Sequence, residues 1–280
     1  MVRQSAVAAL AALFITSGAA WAEPAPQVLA LGDYFGLRTL SAEIGGQTGT
    51  FVLDTGGGIS IIGPALVSAA GCQPWGQMTG FRFTGERLTM PRCDNLHFTS
   101  DGAELISPSA GVFDLSTLLP PEAPPLAGLV ALDSLQGRPF TLELGASRLT
   151  LETDQSLASR VQGAVEVPIR FHRQAGGASL TAMIGIQTPQ GLLWLQLDSG
   201  STASMIVAKS SAEPLGLNEG SDPQPIHIAI AGVHGGSIEA DTTTTVRDMI
   251  IDGNIGMPVM RHWIMTFDLQ SQRLWIAPAD

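Results

Sequence analysis

The sequence predicts an all-β protein made of one β lobe written twice, with short helices between strands. Three observations predict it. The stretch FVLDTGGGIS at 51–60 returns as LQLDSGSTAS at 195–204, so Asp54 aligns with Asp198 and Ser60 with Ser204. A second block, GLVALDSLQGRPFTLELGASRLTL from Gly128, aligns without a gap on GNIGMPVMRHWIMTFDLQSQRLWI from Gly253. In that alignment Thr141 falls on Thr266, Glu143 on Asp268, Leu144 on Leu269, and Arg148-Leu149 on Arg273-Leu274. Finally, apolar residues recur in short alternating runs punctuated by Gly and Pro, the pattern of strands and tight turns. The first half carries 19 more residues between its Asp motif and the distal block. A fixed internal period is the signature of a repeated unit.

The elements follow in order. Residues 1–22 carry a basic Arg3, an apolar run over 6–15 and the small-residue ending Ala20-Trp21-Ala22, which reads as a secretory signal peptide. The N-terminal lobe is expected over 23–154, a linker over 155–163 and the C-terminal lobe over 164–280. RTLSAEIGG and GTFVLD form a hairpin whose second strand ends at Asp54, and ASLTAMIGIQTPQGLLWLQLD repeats it up to Asp198. Each Asp loop leads into a short apolar strand and a short helix, GPALVSAAG in the first half and AKSSAEPLG in the second. Further hairpins are expected at MTGFRFTGERLTM and IHIAIAGVHGGSIEA, and LLPPEAPPLAG reads as a surface loop.

Composition narrows the function classes. Of 280 residues, 45% are hydrophobic and 14% charged, which describes a folded chain and not a disordered one. The net charge of −11 and the single lysine, Lys209, argue against a general nucleic-acid binder, which needs clustered cations against phosphate. No segment after the signal peptide is long and apolar enough to span a bilayer. Export and the Arg-rich, lysine-poor composition lead us to expect a secreted, periplasmic protein. Cys72 and Cys93 are the only cysteines. In an oxidising compartment they pair, closing a loop worth about 3 kcal/mol. Metal binding is the alternative; it needs further ligands, and only His97 is near.

The repeated Asp loops carry the chemistry. Two carboxylates held face to face cannot both ionise easily, so the pair shares one proton at mildly acidic pH. One member then acts as a base on a water while the other, protonated, polarises a carbonyl. Such loops must approach closely, which explains Gly56 and Gly200, and the hydroxyls of Thr55 and Ser199 are suited to bracing them.

With the motif apolar-apolar-Asp-Thr/Ser-Gly present twice, and NIGMPVM at 254–260 matching an apolar-apolar-Gly element before a short helix, the chain resembles the pepsin and retropepsin aspartic proteases. The resemblance covers nearly all of the chain after residue 22, in a bacterial, secreted, single-chain form. It implies the two-lobed pepsin/retropepsin-like fold, with Asp54 and Asp198 as the catalytic pair. Thr55, Ser199, Gly56 and Gly200 would be the bracing and close-approach positions. A peptide or protein substrate would lie extended in the inter-lobe cleft. Neither metal nor organic cofactor is implied, and the duplication removes the need for the retropepsin homodimer, so a monomer is expected.

Departures from the family pattern are visible. Ser201 is placed to hydrogen-bond the Asp198 carboxylate, whereas Gly57 offers Asp54 nothing, so Asp198 is expected to ionise more readily. Ala131 stands where the second lobe has Gly256. The hairpin at 78–90 sits in the position of a cleft-covering flap but lacks a tyrosine, since Tyr34 is the only one. These departures keep open the alternative of a catalytically silent peptide-binding protein. A serine-nucleophile reading of LDSGS through Ser199 fails, because no histidine has a fitting context and the duplication is left unexplained. His234 is expected at an exposed hairpin turn, and Trp75 and Trp263 as packing residues.

Overall fold

The computed structural model describes residues 25–218, 223–246 and 249–279. The predicted signal peptide lies outside the described residues. The regular structure is mostly strand, organised as three sheets, with a few short helices between them.

Two of the sheets belong to one half of the chain each. In the first half the strand Leu37–Ile44 turns through two glycines into Gln47–Leu53 and delivers Asp54. Leu37–Ile44 buries alternate residues over its second half, as a period-2 strand with one face on a core must. Gln47–Leu53 then pairs in parallel with Gly128–Val130, which also pairs antiparallel with Ile61–Ile62. The second half repeats this wiring. Thr181–Thr188 turns into Gly191–Asp198, which runs parallel to Gly253–Gly256, and that strand pairs antiparallel with Met205–Ala208. Each Asp therefore sits where a hairpin strand ends beside a parallel neighbour from 50 or more residues away, a junction that local sequence pattern alone does not specify.

The third sheet is shared. Its order places Gln27–Ala30, Arg148–Leu151 and Phe140–Glu143 from the first half beside Trp263–Asp268, Arg273–Pro278 and Val165–Val167 from the second. Thr141 lies directly opposite Thr266 and their hydroxyls are 3.0 Å apart. Because these two residues are repeat equivalents, the axis relating the halves passes between them. Phe140 and Phe267 stack beside them with ring centroids 5.0 Å apart. The aligned pair Glu143 and Asp268 is structural: Glu143 takes a two-point bond from Arg148, and Asp268 accepts backbone N–H groups from Gln270 and Ser271.

The segment expected as a plain linker is in part helical. Asp154–Arg160 forms an α-helix because Thr153 and Ser156 complete a reciprocal capping box at its start. The helices after the Asp loops are shorter than the apolar runs suggested, Pro64–Leu66 being 3-10 and Lys209–Ala212 one α turn. Cys72 and Cys93 are joined in a disulfide. Among the described residues no helix is long and apolar enough to cross a membrane, and no cluster of His, Cys, Asp and Glu could hold a metal ion.

Candidate active site

Asp54 and Asp198 meet at the floor of a cleft of about 360 Å³ between the two halves. Their positions are fixed by a reciprocal set of bonds from the residues that follow them. The Thr55 hydroxyl donates to Leu197 O at 2.8 Å and accepts from Ser199 N at 3.0 Å. The Ser199 hydroxyl donates to Leu53 O at 2.6 Å and accepts from Thr55 N at 3.0 Å. Each hydroxyl thus ties the opposite strand end to the opposite loop, and both side chains are buried. Each Asp also accepts from the backbone N–H two residues on, Gly56 for Asp54 and Gly200 for Asp198, both at 2.9 Å.

The glycines have a specific cause. A Cβ on Gly56 would fall 2.4 Å from the Asp198 carboxyl carbon, and one on Gly200 would fall 2.5 Å from that of Asp54. No side chain fits at either position, so each loop packs backbone against the facing carboxylate.

The two carboxyl groups hydrogen-bond each other, and both titrate above the ordinary range. Burial is the main cause for Asp54. Asp198 is pushed up to about 8, by burial first and then by the Asp54 charge. The pair therefore retains one proton well above the pH at which a solvated carboxyl loses it.

The expected bond from Ser201 is corrected. The side-chain donor to Asp198 is Asn254, whose Nδ2 lies 2.9 Å from Asp198 Oδ2, while Ser201 contributes backbone bonds to Asp198 O and Met257 N. The reason is topological: Asn254 lies on the strand running parallel beside Asp198 and faces the carboxylate directly. Gln196, opposite Asn254 in that ladder, reaches from its Nε2 toward Asn254 Oδ1 at 3.4 Å. The reason given for Asp198 ionising more readily than Asp54 therefore falls away. Gly57 also does more than expected, its backbone N–H helping to hold down Asp54.

Comparing the halves reveals what the motif conceals. The repeat equivalents of Gln196 and Asn254 are Val52 and Leu129, so an apolar cluster of Val52, Ile59, Ile61, Met78, Met90, Leu129 and Ala131 borders Asp54. Ala131 fits there without strain, its methyl buried in that cluster, whereas a Cβ on Gly256 would strike Ala203 O at 1.9 Å. The dyad thus has an oily side and an amide side. Beneath the Asp54 loop, Asp133 is also buried. Its Oδ1 accepts from Ser60 N at 2.9 Å and Ser60 Oγ at 2.7 Å, and its Oδ2 accepts from Ser107 Oγ. Burial lifts Asp133 to about 6.

The remaining expectations resolve simply. Phe81, Arg82 and Phe83, on the hairpin of Trp75–Phe81 and Arg87–Ser100, line the cleft, and so does Tyr34, anchored through its hydroxyl to Pro124 O. His234 is exposed on the turn after Gln224–Ile230 and does not line the cleft. Trp75 is not a packed residue: it is 54% exposed, with the Arg92 guanidinium over its ring.

No sequence-family profile and no curated protein matches the chain. Solved structures do. It is similar to the basic 7S globulin of soybean, with a TM-score of 0.59 and 10% identity over 91% of this chain and 95% of that one. It is also similar to conglutin gamma, a basic 7S globulin from lupine seeds, with a TM-score of 0.56 and 10% identity over 92% and 96%. The fold is the two-lobed, all-β, pepsin-like one. Membership of the pepsin and retropepsin proteases, in a bacterial form, is corrected: no family profile supports it, and these neighbours are seed globulins. At that identity the likeness establishes the fold alone.

Proposed function

We propose that the inter-lobe cleft binds polypeptide in an extended form and that the Asp54–Asp198 pair hydrolyses a peptide bond there. The observation that supports this most is the meeting of buried Asp198 with half-buried Asp54 at the cleft floor, an arrangement that raises both carboxyls above the ordinary range and lets them share a proton. In the ionised-protonated state, the ionised carboxylate takes a proton from a water as that water attacks the peptide carbonyl carbon. The protonated carboxyl gives its proton to the carbonyl oxygen, forming a neutral tetrahedral diol. Collapse of the diol returns a proton to the leaving nitrogen, breaks the C–N bond and regenerates the pair. No covalent enzyme intermediate and no cofactor enter this scheme. Residues 1–22 support an exported protein, and the presence of both Asp loops in one chain supports action as a monomer.

A second reading is a silent peptide-binding protein, and the comparisons lean toward it, since the two structural neighbours described above are globulins. Gly57 favours it as well, because Asp54 has no side-chain donor beyond its partner. Calorimetric titration with a statine-type peptide, beside mass spectrometry of an unfolded protein incubated with the chain at pH 3–7, separates the two. Binding with cleavage supports hydrolysis. Binding without cleavage supports the silent reading, and neither binding nor cleavage contradicts both.

A further inference from the structure

The cleft is bridged from above. Residues 173–180 join Ile169–His172 to Thr181–Thr188, two paired strands of the second-half sheet. Instead of turning tightly, this loop crosses to the first half. Leu180 N donates to Gly58 O at 2.6 Å, and Ala175 and Ala178 pack on the apolar cluster beside Asp54. At its tip the Gln174 side chain meets the flap hairpin. Gln174 Oε1 accepts from Phe81 N at 2.6 Å, and Gln174 Nε2 donates to Phe81 O at 3.4 Å. One side-chain amide thus occupies both backbone groups of a single flap residue.

Those groups belong to a free strand edge. Trp75–Phe81 is the outermost strand of its sheet, and Arg82 N bonds Glu86 O across the hairpin, so the N–H and C=O of Phe81 point away from the hairpin partner. An extended peptide adding to this edge needs the same donor and acceptor. The Gln174 amide has the chemistry of a peptide group and holds the place of one. Gly80 allows this approach, since even a Cβ there would lie 3.2 Å from Gln174 Oε1. Phe83 O accepts from Ile250 N at 2.9 Å, a second tie between the flap and the second half.

The loop is built to present Gln174. Ala175, Gly176 and Gly177 all have positive φ, at 50°, 67° and 96°. Gln174 N is fixed by Ser179 Oγ at 2.6 Å, and Arg173 bonds Gly177 O at 3.1 Å. A left-handed alanine persists only where its surroundings hold it, here the apolar cluster under the flap.

We propose that Gln174 is a latch that mimics substrate backbone, keeping the flap closed over the dyad until an extended peptide displaces it. This rests on the reading that the cleft takes peptide, and it adds a regulation of entry. The test reads hydrogen–deuterium exchange across residues 76–90 in the substrate-free full chain, together with the association rate of a statine-type peptide. It compares wild type, Gln174→Ala and Gln174→Glu. Glu keeps an acceptor for Phe81 N–H but sets a second oxygen against Phe81 O. Exchange at Phe81 should rise about tenfold in Gln174→Ala, as loss of this bonding implies. Gln174→Glu should open similarly, and peptide association should quicken in both. Unchanged exchange in Gln174→Ala overturns the latch. Faster exchange with unchanged association overturns its role in entry. Faster exchange in a protein that binds no peptide supports the latch and sinks the peptide reading of the cleft instead.

Discussion

Gly56 and Asp198 come from opposite halves of the chain, yet a methyl group on Gly56 would lie 2.4 Å from the Asp198 carboxyl carbon. The reciprocal pair, Gly200 and Asp54, is as close at 2.5 Å. Contact at that distance forces the carboxylates apart, and a displacement near 1 Å costs on the order of 100-fold in rate. Gly56→Ala and Gly200→Ala should each lower kcat by that order, with a stability loss of about 1–3 kcal/mol from overpacking. Peptide cleavage and urea unfolding check the two effects separately.

Thr55 and Ser199 brace the loops with four buried bonds, so removing one hydroxyl strands two partners on the opposite half. Thr55→Val keeps the shape but leaves Leu197 O and Ser199 N unpaired. Each buried orphan costs about 1–3 kcal/mol. Thermal melting should show Thr55→Val and Ser199→Ala both strongly destabilised. The double variant should lose less than the sum of the singles, because each hydroxyl accepts from the other residue's N–H and the four bonds form one network.

Stability should fall as pH rises through the weakly acid range. Asp133 and Asp198 have folded-state values raised above the ordinary 3.8, to about 6 and about 8. The folded chain therefore binds more protons than the unfolded one between those limits, and its stability declines from near pH 4 upward through 6 and toward 8. Asp198→Asn removes the larger contribution. Its melting temperature should exceed that of wild type at pH 7 and approach it at pH 4. Equal pH slopes in the two proteins would contradict the assignment.

Asn254 donates to the ionised form of Asp198, and Leu129 occupies the equivalent place beside Asp54. Asn254→Leu makes the two sides alike. Losing a bond to a charged acceptor raises the apparent values of the pair by about one unit. The pH–rate profile for a model peptide should move to higher pH by that amount, while Ser201→Ala should leave it unmoved.

Much of the site is legible in the sequence because it is written twice. The Asp-Thr/Ser-Gly loops show which carboxylates meet, and the Gly128 and Gly253 blocks mark matched segments, but their parallel pairing beside the Asp strands comes only from the fold. Asn254 and Gln196 were also within reach. Setting the repeats side by side puts polar residues where Leu129 and Val52 stand, a mismatch inside an otherwise apolar strand ladder. Asp133 has no polar counterpart in the second half, where the equivalent position is Pro258, and that contrast was an available signal too. Gln174 was not legible. RQAGGAS reads as an ordinary turn, and only the tertiary path of residues 173–180 brings it onto an edge almost a hundred residues away. The helix Asp154–Arg160 is hard to read in the sequence because none of its residues is buried, so it carries no apolar stripe and only the Thr153–Ser156 capping box marks it.

The most direct test of the account is a carboxyl titration, which needs no knowledge of the substrate. The protein labelled with ¹³C at aspartate Cγ would be followed by NMR from pH 2 to 9, with Asp54→Asn and Asp198→Asn assigning the two signals. The account predicts a coupled two-step titration in which the pair keeps one proton up to about pH 8. It also predicts that either substitution collapses this to a single step. Two independent titrations near the ordinary carboxylate value would contradict it, leaving the cleft with two plain carboxylates and no basis for activating water.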